Sequence, residues 1–314
     1  MLPLALTGLL ALSACQLADD DDPADKAHRL NSMKSFPLHD YIPDPSSDGA
    51  KAILKAQWIL TKPCMVKLGF PGFATLDVKA VESTYPVRQG ALAGGGRSGE
   101  DDFYGVDDPE RAAEHGYHDR HDEDTGEAGT SQPQEYPAAQ YAALTGSFSP
   151  GDSHSAHGHA IPEGGCMGEA MRKIYGPAPK ATKVNGVKLS GYYSLAFQLW
   201  YESHKEARKE HAWKKADREW SSCMKEKGFR YPNPDEASTD TDWLRTGKPS
   251  AKEKKTAAAD ARCKLDTGYI DTVHGIDSRV QKASIAQHKK ALDDLQAAYD
   301  RSVGKARKII ADAS

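Results

Sequence analysis

The first fourteen residues carry no charge, and neither Lys nor Arg lies between Met1 and Cys15. Beyond this short segment no stretch approaches the roughly 20 apolar residues that a membrane-spanning helix needs, so nothing else in the chain is expected to cross a bilayer. A Gly-x-Ser-x-Gly elbow, a Lys-bearing phosphate loop and His-Glu-x-x-His are all missing, and with them the sequence marks of serine hydrolases, phosphate-loop enzymes and zinc peptidases. There is no Cys-x-x-Cys, and no two cysteines lie closer than forty residues. That spacing argues against dithiol redox catalysis and against a compact zinc site. Trp and Tyr are scattered at core spacing without an interleaved basic groove, so nucleic-acid binding has no support. Proline is absent between Pro179 and Pro232 and again after Pro249, which leaves two long stretches free to be helical.

The uncharged start reads Met1-Leu2-Pro3-Leu4-Ala5-Leu6-Thr7-Gly8-Leu9-Leu10-Ala11-Leu12-Ser13-Ala14. This pattern predicts the apolar region of a secretory signal over residues 1–14. The run Leu12-Ser13-Ala14-Cys15 resembles a lipobox. That resemblance implies cleavage before Cys15, a diacylglycerol on its sulfur, and a protein anchored by lipid at the extracytoplasmic face of the cell membrane. The missing basic residue at the start departs from the usual signal.

Residues 15–48 are expected to be a lipidated flexible tether. Asp19-Asp20-Asp21-Asp22 is a solvated charge block without the alternating ligands of a calcium loop, and Tyr41-Ile42-Pro43-Asp44-Pro45 resists helix. The chain of 314 residues is 39% hydrophobic and 27% charged, enough for a lean core. Its halves differ in charge. Residues 1–187 hold 16 basic against 26 acidic side chains and residues 188–314 hold 25 against 19, near −10 and +6. A mildly basic helical half could touch anionic lipid or wall polymer, although a solvated helix face explains it as well.

The expected fold is mainly α. A first helix is predicted over Ala50–Leu68, kinked or restarted at Pro63 and stopped at Gly69. Residues 49–180 as a whole should combine short helices with long loops. Asp108-Pro109-Glu110 has the form of a capped helix start, with Gly116 as its end. Further short helices are expected near Glu135–Leu144 and Cys166–Tyr175. Residues 181–314 should form a helical hairpin that makes one body with 49–180. One stripe runs through Tyr193, Ala196, Leu199, Trp200, Ala207, Trp213, Ala216, Trp220, Cys223 and Met224, and closes at Gly228. The other runs through Val273, Ile276, Val280, Leu292, Leu295, Tyr299, Val303, Ala306 and Ile310, with Gly268 and Gly275 able to loosen it. Two long helices joined by a short irregular segment pack most simply antiparallel.

Without Cys15, four cysteines remain: Cys64, Cys166, Cys223 and Cys263. An even number in an exported chain points to two disulfides, with three pairings open. An internal echo favours Cys64–Cys166 and Cys223–Cys263. Cys64-Met65-Val66-Lys67-Leu68-Gly69-Phe70 matches Cys223-Met224-Lys225-Glu226-Lys227-Gly228-Phe229 as Cys-Met-x-x-x-Gly-Phe, so each cysteine sits near the end of a helix and needs a partner further along.

Together with Gly165-Cys166-Met167, Trp220-x-x-Cys223-Met224, Ala259-Asp260-Ala261-Arg262-Cys263, Phe103-Tyr104-Gly105 and His115-Gly116-Tyr117, these motifs carry a resemblance. The chain is similar to a group of uncharacterised secreted lipoproteins of high-GC Gram-positive bacteria. The likeness covers about two thirds of the mature chain; it implies an extracytoplasmic compartment and a helical build, and brings no activity with it.

Six of the twelve histidines cluster in sequence: His115, His118, His121, His154, His157 and His159. With Asp119, Asp122, Glu123, Asp124 and Asp152 among them they could hold Zn or Cu outside the cytoplasm; a hydrophilic loop that binds nothing is the simpler expectation. The expected function is a non-enzymatic interaction or accessory protein of the cell envelope, with a transporter or wall assembly as partner. The alternative is an extracytoplasmic metal- or solute-binding protein built on the histidine-rich loop.

Overall fold

The structure is a computed structural model that describes residues 22–78, 86–89, 102–118, 135–176, 182–184, 187–189, 194–244 and 248–313. The expected signal, Cys15, the Asp19–Asp21 block, His121 and Tyr193 lie outside these residues. The fold is mainly helical: among the described residues the only strands are short pairs, Val87–Arg88 (β1) with Glu135–Tyr136 (β2), Ser155–Ala156 (β3) with His159–Ala160 (β4), and Thr182–Val184 with Val187–Leu189. No helix of the described residues is long and apolar enough to cross a membrane.

The chain enters through α1 (Pro23–Asn31), capped by the Asp22 carboxylate, which accepts from the Ala24 N–H. Two 3₁₀ turns, Met33–Ser35 and Pro37–Tyr41, follow. The expected flexible tether is therefore corrected over residues 22–48. Phe36 and Leu38 are buried in the main core, and the Leu38 N–H donates to the buried Gln281 side chain at 3.0 Å. Two apolar anchors in a short proline-punctuated segment suffice to dock it, and composition alone conceals them.

Next comes α2 (Asp48–Lys67), which Ser47 caps by accepting from Ala50. The helix runs through Pro63 without ending there, because the proline sits in the last two turns and leaves only one carbonyl without its helical partner. Three short helices form where turn chemistry marks them: α3 (Pro109–His115), α4 (Ala138–Thr145) and α5 (Gly165–Tyr175). The Asp108 carboxylate caps α3 by accepting from both Glu110 and Arg111.

The C-terminal half differs from a two-helix hairpin. The first stripe divides into α6 (Ser194–Ala207) and α7 (His211–Glu226). No Gly or Pro marks the break. Short-range bonds from Lys209 to Glu206 and from Glu210 to Ala207 tighten the end of α6, and the turn brings Trp213 edge-on to His204, with ring centres 5.3 Å apart. Tertiary aromatic packing overrides local helical preference here. Two small helices, α8 (Pro234–Ser238) and α9 (Thr241–Leu244), lead to α10 (Ala251–Asp266). Gly268, at φ +60°, separates α10 from α11 (Tyr269–Asp312); a left-handed residue is a natural glycine position.

With 44 residues, α11 is about 66 Å long at 1.5 Å per residue. Its first part, with Val273, Ile276 and Leu292, packs into the main core beside Phe36, Leu38, Trp200, Trp213 and Trp220. Its last part, with Val303 and Ala306, packs on Ile53 and Ala56 of α2 and Ile174 of α5. No residue of α11 between Leu292 and Ser302, where it passes from one core to the other, is buried. A further core joins α2, α4 and α5 around Trp58, Met65, Phe70, Phe73, Tyr136, Leu144 and Cys166.

Two of these cores hold one disulfide each. Cys64–Cys166 joins the end of α2 to the start of α5, and Cys223–Cys263 joins α7 to α10, with sequence separations of 102 and 40. These are the pairings that the internal echo favours. Loop-closure entropy gives each a contribution of about 4–5 kcal/mol.

Candidate functional site

Where α2 ends, the chain turns sharply. Gly69 takes φ +87°, and a 3₁₀ turn over Pro71–Thr75 follows, presenting the rings of Phe70 and Phe73. Opposite, β2 runs parallel to β1 and continues through Pro137 into α4, which brings in Tyr136 and Gln140. The third side is the β3–β4 hairpin. Its two turn residues, His157 at φ +47° and Gly158 at φ +82°, both have positive φ, as tight hairpin turns require. His157 is the one non-glycine residue in this region of backbone space among the described residues. Arg88 of β1 ties the hairpin's approach in place through Ser149 and a two-pronged ion pair with Asp152, at 2.7 and 3.2 Å. Hydrogen bonding from Arg88 holds Asp152 below the usual carboxylate range.

The three sides enclose a cavity of about 510 Å³, lined by Phe70, Phe73, Leu76, Tyr136, Gln140 and His157 together with the 69–72 turn. Phe73 and Tyr136 stack, with ring centres 6.0 Å apart and planes 20° from parallel. His157 stands edge-on to Phe70 at 5.1 Å. The Tyr136 hydroxyl is shielded from solvent and has no hydrogen-bond partner, and burial pushes its pKa up to about 12. Among the described residues no Asp, Glu, Lys or Arg lines the cavity. The size falls within the range of roughly 300–1,000 Å³ common to small-ligand sites.

A second polar cluster has a different character. Residues 102–118 lie along α10 and α11 as a strap. The Tyr104 hydroxyl donates to Asp277 at 2.7 Å, and His204 meets the same carboxylate oxygen at 2.9 Å. Asn31 bridges the strap to α1: its amide donates to the Gly105 carbonyl and to Asp107, and its oxygen accepts from the Tyr104 N–H. Further on, Glu253, wholly buried, accepts from the Tyr117 N–H at 3.0 Å and meets His118 at 2.7 Å. Asp260 accepts from Lys264, Trp220 and Tyr117 at 3.2, 2.9 and 3.3 Å, while the Lys264 ammonium also donates to the Val106 carbonyl. Burial raises the Asp260 pKa against the opposing pull of Lys264. Burial beside Asp277 and Asp260 likewise pushes up the Tyr104 and Tyr117 hydroxyls. Acids, bases and hydroxyls here are paired with one another, so the cluster fastens the strap.

The described histidines do not come together as a ligand set. His115 ends α3 beside Glu114, His118 is engaged by Glu253, His154 packs on Phe148 at 4.0 Å between ring centres, His157 joins the cavity and His159 is exposed on β4. Among the described residues no three His, Cys, Asp or Glu side chains are placed to hold a metal ion. Sequence reading took His157 as a candidate ligand and left Phe73, Tyr136 and Gln140 unmarked. The available signals were the His157-Gly158 turn dipeptide between short alternating segments and the Gly69-Phe70-Pro71-Gly72 punctuation. Comparison with protein-family models, with curated proteins and with solved structures finds no match to this chain.

Proposed function

We propose that the chain is an exported lipoprotein, held at the extracytoplasmic face of the membrane through Cys15, which serves as a non-enzymatic interaction or accessory protein of the cell envelope. The observation that carries the reading is the pair of disulfides, one in the main core and one in the core of α2, α4 and α5. Such bonds persist in oxidising, extracytoplasmic compartments. The uncharged leader ending in Leu12-Ser13-Ala14-Cys15, and the likeness to secreted lipoproteins of high-GC Gram-positive bacteria, support the anchor. An interaction role draws support from α6, where Phe197 and Tyr201 stand one turn apart and are 52% and 63% exposed. Large aromatic side chains left in water on one helix face are common at protein contacts.

Intact mass and non-reducing peptide mapping of the membrane-extracted protein test the reading. The expected product begins at an acylated Cys15 and contains no free thiol, and Cys15→Ala releases the protein from the membrane fraction. A soluble, unacylated protein with reactive thiols would falsify it. Crosslinking in intact cells tests the partner: capture of an envelope protein that Phe197→Ala with Tyr201→Ala abolishes is expected, and recovery of the bait alone counts against an interaction role.

A further inference from the structure

We infer that the cavity between the end of α2, the start of α4 and the β3–β4 hairpin binds a neutral sugar ring, as a mono- or disaccharide. The inference does not depend on the lipid anchor.

Three observations on this site converge. The first is its lining. Phe70, Phe73 and Tyr136, each at least nine-tenths buried, show a small part of their rings to it, and Gln140 and His157 provide both donors and acceptors. A pyranose has the matching form, with a C–H face to lie on a ring and hydroxyls around its edge. An anionic or cationic ligand would leave water for a lining whose described residues offer no Asp, Glu, Lys or Arg as counter-charge. A wholly apolar ligand would leave the amide and imidazole unpaired, a penalty that polar sites use to reject analogues lacking a hydroxyl.

The second is the turn at the rim. His157 adopts φ +47°, uncommon for a residue with a side chain, although His takes it more readily than most. Asn or Gly would satisfy the turn better. The turn places the imidazole over Gly69 and against Phe70, where it reaches the cavity.

The third is rigidity. The Cys64–Cys166 bond lies five residues before Gly69 and pins the α2 end to α5. Arg88 with Asp152 pins the hairpin from the opposite side. A wall fixed on both sides loses little entropy when it binds.

Ligand-observed saturation-transfer NMR on the full chain decides the matter, with maltose, cellobiose and N,N′-diacetylchitobiose as neutral probes, and glucuronate and p-cresol as charged and apolar controls. At least one neutral disaccharide is expected to receive saturation, strongest on its C–H face, and to bind at least about tenfold more tightly than glucuronate. Phe73→Ala should weaken that binding by about tenfold or more. Because Phe73 is also a core residue, Gln140→Ala and His157→Asn serve as paired variants. The first favours helix, and the second suits the turn while removing the imidazole, so both should fold and both should weaken binding. No transfer to any neutral sugar up to about 10 mM overturns the inference. So does tighter binding of p-cresol or glucuronate, or sugar binding that Gln140→Ala and His157→Asn leave unchanged.

Discussion

The His157 imidazole lies across Gly69, so close that a Cβ built on the glycine would meet the ring at 2.6 Å. Gly69 also takes φ +87°, which an L side chain rarely adopts. The two residues lie in different elements, so the contact locks the hairpin to the end of α2. Gly69→Ala is therefore expected to cost about 1–3 kcal/mol from the backbone alone, read as a lowered urea midpoint. Combined with His157→Gly, which removes the ring, part of that loss should return. Purely additive losses in the double variant would show that the ring does not set the constraint.

The two disulfides should not be equal. The 102-residue separation of Cys64–Cys166 exceeds the 40 of Cys223–Cys263, so paired serine replacements should lower stability by about 5 and about 4 kcal/mol respectively. Chemical denaturation of the two double variants checks this order. Both bonds should also appear in non-reducing peptide maps, and a crossed pairing would contradict the fold.

Lys264 and Asp260 are a fully buried ion pair one helical turn apart. Removing one partner leaves the other charge in the core, so Lys264→Met is expected to lose about 3–5 kcal/mol. Lys264→Met with Asp260→Asn should lose less than the sum of the single changes. A double-mutant cycle by urea denaturation measures the difference, and an interaction energy near zero would mean the pair is not coupled.

Alkali should unfold the protein through its tyrosines. Tyr104, Tyr117 and Tyr269 are each pushed up by burial, with Asp277, Asp260 and Asp217 beside them adding to the shift. Their ordinary value is 10.0, so the unfolded chain loses these protons first. The stability they contribute is complete below pH 10 and is lost as pH rises toward the folded-state values. Each tyrosine should steepen the fall by about 1.4 kcal/mol per pH unit. Tyr117→Phe should remove one such increment from the slope of stability against pH above 10, and an unchanged slope would mean Tyr117 is not held protonated.

Much of the helical frame is legible in the residues. Asp108-Pro109-Glu110 and Gly116 bracket α3, and the apolar stripe from Ala196 to Met224 is the one that packs inward. The echoing Cys-Met-x-x-x-Gly-Phe motifs lead to the observed disulfides. What resists reading is set by contacts distant in sequence. The break after Ala207 has no glycine or proline and follows from Trp213 closing on His204. Phe36 and Leu38 look like part of a tether until Gln281, 243 residues later than Leu38, receives the Leu38 N–H. The cavity escapes for the same reason: Phe73, Tyr136 and His157 belong to three separate short segments, none with a strong period of its own.

Between Leu292 and Ser302, α11 crosses from the main core to the core on α2 with no residue buried. That stretch is a strut, held mainly by its own backbone bonds and, at its start, by pairs such as Lys289 with Asp293 and Lys290 with Asp294. Twist applied at one end of a continuous helix arrives at the other, whereas a melted turn would let the ends rotate freely. The nine residues of this crossing thus set whether the two halves move as one.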